Sequence, residues 1–183
     1  MSGRILDRNG QPIGLHITPR GNVVFENTLE NSIHEGRRYF NHNYQDVAAS
    51  DIITFLFVPS EDYDMHLDVN LEANVEVTVE AYFAVTVGDY GTEVLMLNSN
   101  QNFATSQITG HVYKDATIIN SDEIFTVGNK ITANKNASAG RSNAGEFVLS
   151  YPYKSFMRLT VEEGPGFVVW QIGMTEVEHG TYF

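Results

Sequence analysis

The side chains best suited to chemistry lie in the stretch EDYDMHLD, at positions 61–68. Four of them recur at every second position: Asp62, Asp64, His66 and Asp68. On a β-strand this spacing puts all four on one face, where their oxygen atoms could surround a hard cation such as Ca²⁺. The stretch lacks the glycine and the terminal glutamate of a calcium-binding loop, and apolar residues occupy the alternate positions. The pattern therefore favours a solvent-facing edge strand, and we expect no metal site.

A second pair of carboxylates, Glu76 and Glu80, lies in another alternating run. General acid–base catalysis would need one of them buried enough to raise its pKa, whereas the alternation turns both toward solvent. The six histidines show no HExxH spacing, no serine lies in a GxSxG turn, and no glycine-rich phosphate loop is present. The chain contains no cysteine, which excludes disulfides and thiolate chemistry. We expect a protein that is not an enzyme and needs no cofactor.

The net charge of −12 is distributed unevenly along the chain. Residues 26–127 carry −14 and residues 146–183 carry −3, whereas residues 1–25 carry +2 and residues 128–145 carry +3. The acidic total argues against nucleic acid as a partner, because affinity for phosphates depends on Lys and Arg. The two basic segments fit either solvated loops of chance composition or contact with an acidic partner.

Alternation of apolar and polar residues is the dominant pattern. From Leu71 to Val87 every odd position is apolar, which is the period of a β-strand. The run is too long for one regular strand, so we expect a bend, a bulge or a change of partner at Asn74 or Ala81. Trp170 alternates with apolar neighbours in a later run and is predicted to lie in the core.

Seven other short runs are rich in β-branched and aromatic residues and are separated by turn-forming residues. They cover 51–59, 92–97, 108–113, 123–127, 146–151, 155–162 and 167–177. No window keeps the apolar spacing of an amphipathic helix, and no stretch is apolar for long enough to span a membrane. We predict an all-β fold, an antiparallel β-sandwich of the jelly-roll kind with about eight strands.

The chain length of 183 residues is sufficient for one buried core. Residues 1–30 contain repeated Gly and Pro without periodicity and are predicted to form an extended N-terminal arm. Residues 31–183 then form the sandwich domain, with a long polar loop at 128–145. The uncharged stretch NSNQNFATSQ, at 98–107, is predicted to connect the two sheets, with its amides bonding nearby backbone groups and Phe103 anchored in the core.

Five segments follow one another in a distinctive order. They are the IHEG turn with the aromatic strand after it, IITFLFVPSEDYDMHLDVNLEANVEVTVEAYFAV, NSNQNFATSQ, the loop ending AGRSNAGEFVL, and YKSFMRLTVEEGPGFVVWQIGMTEVE. Together, over residues 31–178, they resemble a family of tailed-bacteriophage virion proteins, small β-rich proteins associated with the head surface. The family usually has arginines in its Asn-rich segment, whereas this chain has Gln101 and Phe103 there. We therefore expect no charge-based role for that segment.

The resemblance implies a head decoration or cement protein that bridges subunits of the major capsid protein on the virion surface and stabilises the capsid. It also implies a homo-oligomer on the capsid lattice, present in the host cytoplasm during assembly. The charge distribution predicts contacts with an acidic capsid surface through six basic residues. These are Arg4, Arg8 and Arg20 in the arm, and Lys130, Lys135 and Arg141 in the polar loop.

Two other functions fit the same residues. Jelly rolls commonly bind carbohydrates or receptors, and Tyr151 and Tyr153, which flank Pro152, could stack on sugar rings. A structural role in the phage tail or baseplate is equally compatible with the composition. In each case we expect neither nucleic acid nor a membrane as partner.

Overall fold

The computed structural model describes residues 15–17, 23–25, 33, 35–103, 108–123, 129–131 and 140–178. The regular elements in these ranges are β-strands. They are β1 (Leu15–Ile17), β2 (Val23–Phe25), β3 (Arg38–Val47), β4 (Ile52–Val58), β5 (Tyr63–Ala73), β6 (Val77–Asp89), β7 (Thr92–Glu93), β8 (Leu97–Asn98), β9 (His111–Lys114), β10 (Thr117–Glu123), β11 (Asn129–Ile131), β12 (Gly140–Leu149), β13 (Ser155–Val161) and β14 (Gly166–Glu178).

Two antiparallel sheets form the body of the protein. The first sheet has the strand order β12-β5-β14-β3-β8, and the second has the order β10-β6-β13-β4-β9-β7, with β11 also paired to β6. The structure also contains a curled half-barrel. Within the predicted arm, β1 and β2 pair with each other. The predicted all-β, antiparallel sandwich is therefore confirmed.

The main core lies between the two sheets and is built from alternate residues. Apolar side chains of β4, β5, β13 and β14 form one buried cluster, in which Phe55, Leu71 and Ile172 have no exposed surface. The Trp170 ring meets Phe55 edge-on with centroids 5.4 Å apart, and its Nε1 donates to Asn41 Oδ1 at 3.1 Å. The predicted core position of Trp170 is confirmed, and its indole N–H has a partner.

The long alternating run changes sheets at Asn74, one of the two positions predicted. β5 ends at Ala73 in the first sheet, and β6 begins at Val77 in the second. The odd positions remain buried on both sides of the change, because the inner faces of both sheets line the same core. A second irregularity follows at Ala84, whose φ is +54°.

A second apolar cluster lies on the face of the second sheet that points away from the main core. Phe156 of β13 stands between Leu56 of β4 and Tyr82 of β6 in the strand register, and all three are buried. Ala116 closes the cluster from the β9–β10 link, which is held by a hydrogen bond from Thr54 Oγ1 to Ala116 O at 2.9 Å. Alternation predicted only one buried face for these strands, so this cluster was missed.

The run 92–97, predicted as one strand, is instead two short strands in different sheets. β7 pairs with β9 in the second sheet, and β8 pairs with β3 in the first. The segment Thr92–Asn98 therefore bridges the sheets at one side of the sandwich. The segment 128–145, predicted as a loop, contains β11 and the first part of β12, while residues 132–139 lie outside the described residues.

The Asn-rich stretch connects the first sheet to the second, as predicted, because it follows β8 and precedes β9. Asn98 is buried; its Nδ2 donates to Gly36 O at 2.6 Å, and its Oδ1 accepts from Asn100 N at 2.8 Å. Phe103 is half-buried and lies against Gly36, whose φ of +72° and lack of a side chain make room for the ring. The ring therefore anchors the connection against a turn. Residues 104–107 lie outside the described residues.

Candidate functional site

The crossing from β5 to β6 forms a rigid corner of the sandwich. Asn74 Oδ1 accepts a hydrogen bond from Phe167 N at 2.6 Å, and Asn74 N donates to Phe167 O at 3.3 Å. On the other side of the crossing, Glu162 N donates to Glu76 O at 2.9 Å. Gly166 is needed here, because a Cβ at that position would overlap Val75 and Asn74. Side-chain and backbone bonds thus tie the crossing to the β13–β14 turn.

Both ends of the basic segment are attached to this corner. Ile131 of β11 pairs with Val77 at the start of β6, and Gly140 of β12 pairs with Ala73 at the end of β5. β11 and β12 also contact each other. The two described residues that flank 132–139, Ile131 and Gly140, therefore lie at the same corner.

The corner brings together backbone positions of two of the predicted contact residues. Lys130 stands opposite Thr78, and Arg141 stands opposite Glu72, in the strand registers of β11 and β12. Lys135 belongs to the intervening segment and lies outside the described residues. We call Lys130, Lys135 and Arg141 the basic corner. Two positively charged residues, Lys130 and Arg141, therefore begin from neighbouring strands at one place on an acidic body, which suits contact with an acidic partner.

The other three predicted contact residues, Arg4, Arg8 and Arg20, lie outside the described residues. The strands β1 and β2 are the described parts of the arm, and they pair through Leu15↔Phe25, His16↔Val24 and Ile17↔Val23. The contact role of the arm arginines stays a prediction.

The acidic stretch of β5 does not have the surroundings predicted for it. β5 is an interior strand between β12 and β14, so the prediction of an edge strand is wrong. Asp64 is buried with 2% of its surface exposed, and Asp68 forms an ion pair with Arg38. Arg38 Nη1 also donates to Thr175 Oγ1 at 2.7 Å, and Gly173 leaves the space through which this side chain crosses β14. These contacts tie three strands together.

In the described part of the chain, no three His, Asp or Glu side chains are grouped so that they could hold a metal ion. Asp68 neutralises a guanidinium, and Asp62 is exposed in the turn before β5. These acidic residues therefore have structural roles: Asp68 pairs with a residue of another strand, and Asp62 lies in a solvated turn.

Glu80 also has a structural partner. Arg158 Nε donates to Glu80 Oε2 at 2.7 Å, and Arg158 Nη2 donates to the Tyr82 hydroxyl at 2.6 Å. Desolvation by burial raises the pKa of the Tyr82 hydroxyl above 10.0. The three side chains form a charged network on the face of the second sheet that also carries the second apolar cluster. The network holds Tyr82, a member of that cluster, in place, and this structural role accounts for its contacts.

A groove that the sequence did not indicate lies beside β7, at the side where Thr92–Asn98 bridges the sheets. We call it the β7 groove. It has a volume of about 340 Å³, and its walls are residues 93–96 on one side and Ile108 with residues 110–112 on the other. At its rim, Glu93 Oε1 lies 2.6 Å from His111 Nδ1. Glu93 and His111 are far apart in the sequence, and only the pairing of β7 with β9 brings them together.

Aromatic side chains continue from the rim of the β7 groove. The His111 and Tyr113 ring centroids are 6.0 Å apart, and the Tyr113 and Tyr90 rings meet edge-on at 5.1 Å. Tyr90 is 42% exposed, and burial raises the pKa of the half-buried Tyr113 above 10.0. The rim therefore offers a carboxylate, an imidazole and aromatic surface to a bound group.

Tyr151 and Tyr153, the predicted aromatic patch, lie in the turn between β12 and β13. They are 52% and 61% exposed, and Tyr153 N donates to Ser150 O at 3.0 Å across the turn. Pro152 between them is also exposed. The two rings are therefore accessible to a partner.

Comparisons with protein-family models, with curated proteins and with solved structures find no match to this chain. Across the described ranges, no helix has the length and apolar character needed to cross a bilayer.

Proposed function

We propose that this protein is a structural component of the bacteriophage head, which decorates the capsid and stabilises it by bridging subunits of the major capsid protein. Its basic residues contact acidic capsid surface, and it acts without a cofactor or catalytic step. The single observation that carries the proposal is the separation of charge: a body of −14 at residues 26–127 bears basic segments of +2 and +3. The order of segments described above favours the head among virion sites.

The geometry of the basic corner supports this role. A cement protein needs a rigid body and projecting segments that gain contact area when they dock on a lattice. Here the two ends of the 132–139 segment are held by Val77 and Ala73, beside a crossing that is itself hydrogen-bonded to the β13–β14 turn. Many copies on one lattice make weak individual contacts sufficient.

The test is binding of the full-length protein to capsids from which it has been removed, over a range of salt concentrations. Replacement of Arg4, Arg8, Arg20, Lys130, Lys135 and Arg141 by Ser should weaken binding about a hundredfold at low salt, because each exposed ion pair contributes roughly 0.5 kcal/mol. The remaining binding should depend less on salt. Lys154→Ser, which removes one positive charge outside both segments, should change binding little.

Binding and salt dependence that are unchanged in the sixfold variant would contradict the proposal. Immunogold labelling of intact virions gives an independent answer, since labelled tails with unlabelled heads would favour a tail or baseplate protein.

A second candidate is a carbohydrate- or receptor-binding module, which the exposure of Tyr151 and Tyr153 favours. Aromatic rings at an exposed turn can stack on the apolar face of a sugar. A glycan array separates this candidate from the first: a hit that is lost in the Tyr151→Ala, Tyr153→Ala variant supports it, and an array without a hit removes it.

A further inference from the structure

We propose that the β7 groove binds residues 4–8 of the N-terminal arm of a second copy of this chain. This inference rests on the proposed function and deepens it by assigning two of the six basic residues, Arg4 and Arg8, to contacts between copies. It does not require a capsid, so it can be tested on the purified protein alone.

The walls of the β7 groove are apolar and suit aliphatic side chains. Met96 and Val112 are buried, Val94 and Ile108 are half-buried, and Leu95 is 68% exposed beside the opening. A volume of about 340 Å³ is at the lower end of the range for ligand pockets. It accommodates a few side chains of an extended segment and is too small for a folded element.

The rim of the groove favours a positively charged group. Glu93 lines the groove and is exposed, and two further exposed carboxylates lie close to β7 and β9 along the chain: Asp89 at the end of β6 and Asp115 directly after β9. The one lysine there, Lys114, is paired with a carboxylate, since its Nζ lies 3.4 Å from Asp115 Oδ2. The exposed ring of Tyr90 offers a face on which a guanidinium can stack. A guanidinium with an aliphatic stem matches this combination of apolar wall, carboxylate and aromatic face.

The arm carries a segment with this chemistry. In Arg4-Ile5-Leu6-Asp7-Arg8, two neighbouring aliphatic residues are flanked by arginines. The aliphatic side chains suit the walls, and the arginines suit the rim. Residues 1–25 carry +2 and the body carries −14, so the charge that complements the arm is present on every copy of the protein.

Docking of an arm into a neighbour's groove is a heterologous contact, which links copies head to tail into a ring or a chain. Arg20 and the basic corner would then contact the capsid, while Arg4 and Arg8 join neighbouring copies. The two sets of basic residues thus serve two different acidic surfaces. Their effects can be separated with variants that carry the same change in charge.

The experiment is sedimentation velocity of the full-length protein at low and high salt. The wild type should self-associate at low salt and dissociate as salt rises.

Two variants test the contact. They are the arm variant, Arg4→Ser with Arg8→Ser, and the groove variant, Glu93→Gln with Leu95→Ser. The self-association of each should be weaker than that of the wild type by a factor of about ten or more. Leu95 and Glu93 are exposed, so the groove variant should keep the core intact. A mixture of the two variants should form heterodimers, because one intact arm and one intact groove remain.

Two matched controls define the specificity. Lys130→Ser with Lys135→Ser removes two positive charges from the basic corner, and Glu163→Gln with Ile119→Ser removes a carboxylate and an exposed apolar side chain elsewhere. Both controls should self-associate like the wild type. The Lys130→Ser, Lys135→Ser control should weaken binding to capsids without weakening self-association.

A wild type that stays monomeric at low salt, including one whose arm docks in its own groove, would overturn the inference. So would association that is equal in all variants, or a mixture without heterodimers.

Discussion

The phenol of Tyr39 is an ionisable group whose surroundings are set entirely by the fold. It lies on β3 with 1% of its surface exposed, and its pKa is raised from 10.0 to about 12. Desolvation by burial is the largest cause, followed by the negative charge of Glu176 and by Tyr63. The folded protein therefore keeps this hydroxyl neutral at pH values where an unfolded chain would ionise it.

Stability should consequently fall in alkaline solution. Because the folded-state pKa lies above the unfolded value, the contribution of Tyr39 is fully present below pH 10 and is lost as pH rises toward 12. A raised pKa of this size corresponds to roughly 2 kcal/mol of unfolding free energy across that window. Urea unfolding at neutral pH and between pH 9 and about 11.5 measures the loss.

Tyr39→Phe is the matched variant, since it keeps the ring and removes the ionisable group. Its stability should fall less steeply than that of the wild type over the same pH window. Tyr82 and Tyr113 also have raised pKa values and remain in both proteins, so the difference between the two curves isolates Tyr39. Identical slopes would show that Tyr39 is not responsible.

At the level of elements, Glu176 joins the last strand to the segment that precedes β9. The carboxylate is 3% exposed, and its Oε1 accepts three hydrogen bonds: from Thr109 N at 2.8 Å, from Thr109 Oγ1 at 2.7 Å and from Gly110 N at 2.7 Å. A buried carboxylate is tolerable only with such partners. Here it fixes the segment that enters the second sheet after the Asn-rich connection.

Glu176→Ala should lower the free energy of unfolding by about 3 kcal/mol, because it leaves three donors without an acceptor near the core. Glu176→Gln retains an acceptor oxygen and should cost less, about 1 kcal/mol. Denaturant unfolding measures both changes. Hydrogen exchange at the Thr109 and Gly110 amides should accelerate more in the Ala variant, and equal exchange in the three proteins would show that this carboxylate does not hold the segment.

The bounds of the strands show where alternation of apolar and polar residues was sufficient to predict a strand. β4, β13 and β14 agree closely with the predicted runs, because their apolar residues alternate and face one core. β3 lies outside the runs predicted from alternation because it is polar over most of its length, and only Tyr39 and Val47 of this strand are buried. A strand in this region was expected only from the resemblance, after the IHEG turn. Its pairing with β14 over ten register positions is a backbone property that side-chain alternation does not report.

At the level of the whole molecule, the second sheet has two apolar faces. Leu56, Tyr82 and Phe156 occupy the face opposite the main core, with Phe156 in the middle. The Tyr82 and Phe156 ring centroids are 6.0 Å apart. This arrangement predicts that the second cluster stabilises the fold as a core does, although it is smaller than the cluster between the sheets.

Phe156→Ala should therefore destabilise the protein by about 3–5 kcal/mol, the range found for aromatic truncation in a core. Ile52→Ala, a truncation of a 57% exposed side chain on the same sheet, is the control and should change stability by less than about 1 kcal/mol. Thermal or urea unfolding gives both values. A small effect of Phe156→Ala would mean that the cluster is solvated in solution.

Sequence patterns alone predicted the all-β class, an interruption of the long run at Asn74 or Ala81, and the core position of Trp170. These features are local properties of the sequence. A period of two indicates a strand, a run too long for one strand must be interrupted, and an amphipathic ring among alternating apolar residues faces the core. The distribution of charge along the chain was also readable directly, since it depends only on which residues each segment contains. The role of the six basic residues remains a proposal derived from that charge and from the resemblance.

Which distant residues meet depends on the tertiary structure. The wrong edge-strand prediction for β5, the pairing of Glu93 with His111, and the attachment of both ends of the 132–139 segment at one corner all depend on strand order. Strand order is set by the summed burial and backbone pairing of the whole chain, and local patterns carry little information about it. For that reason the acidic stretch became an ion-paired interior strand, and the β7 groove appeared where the sequence showed only a short apolar run.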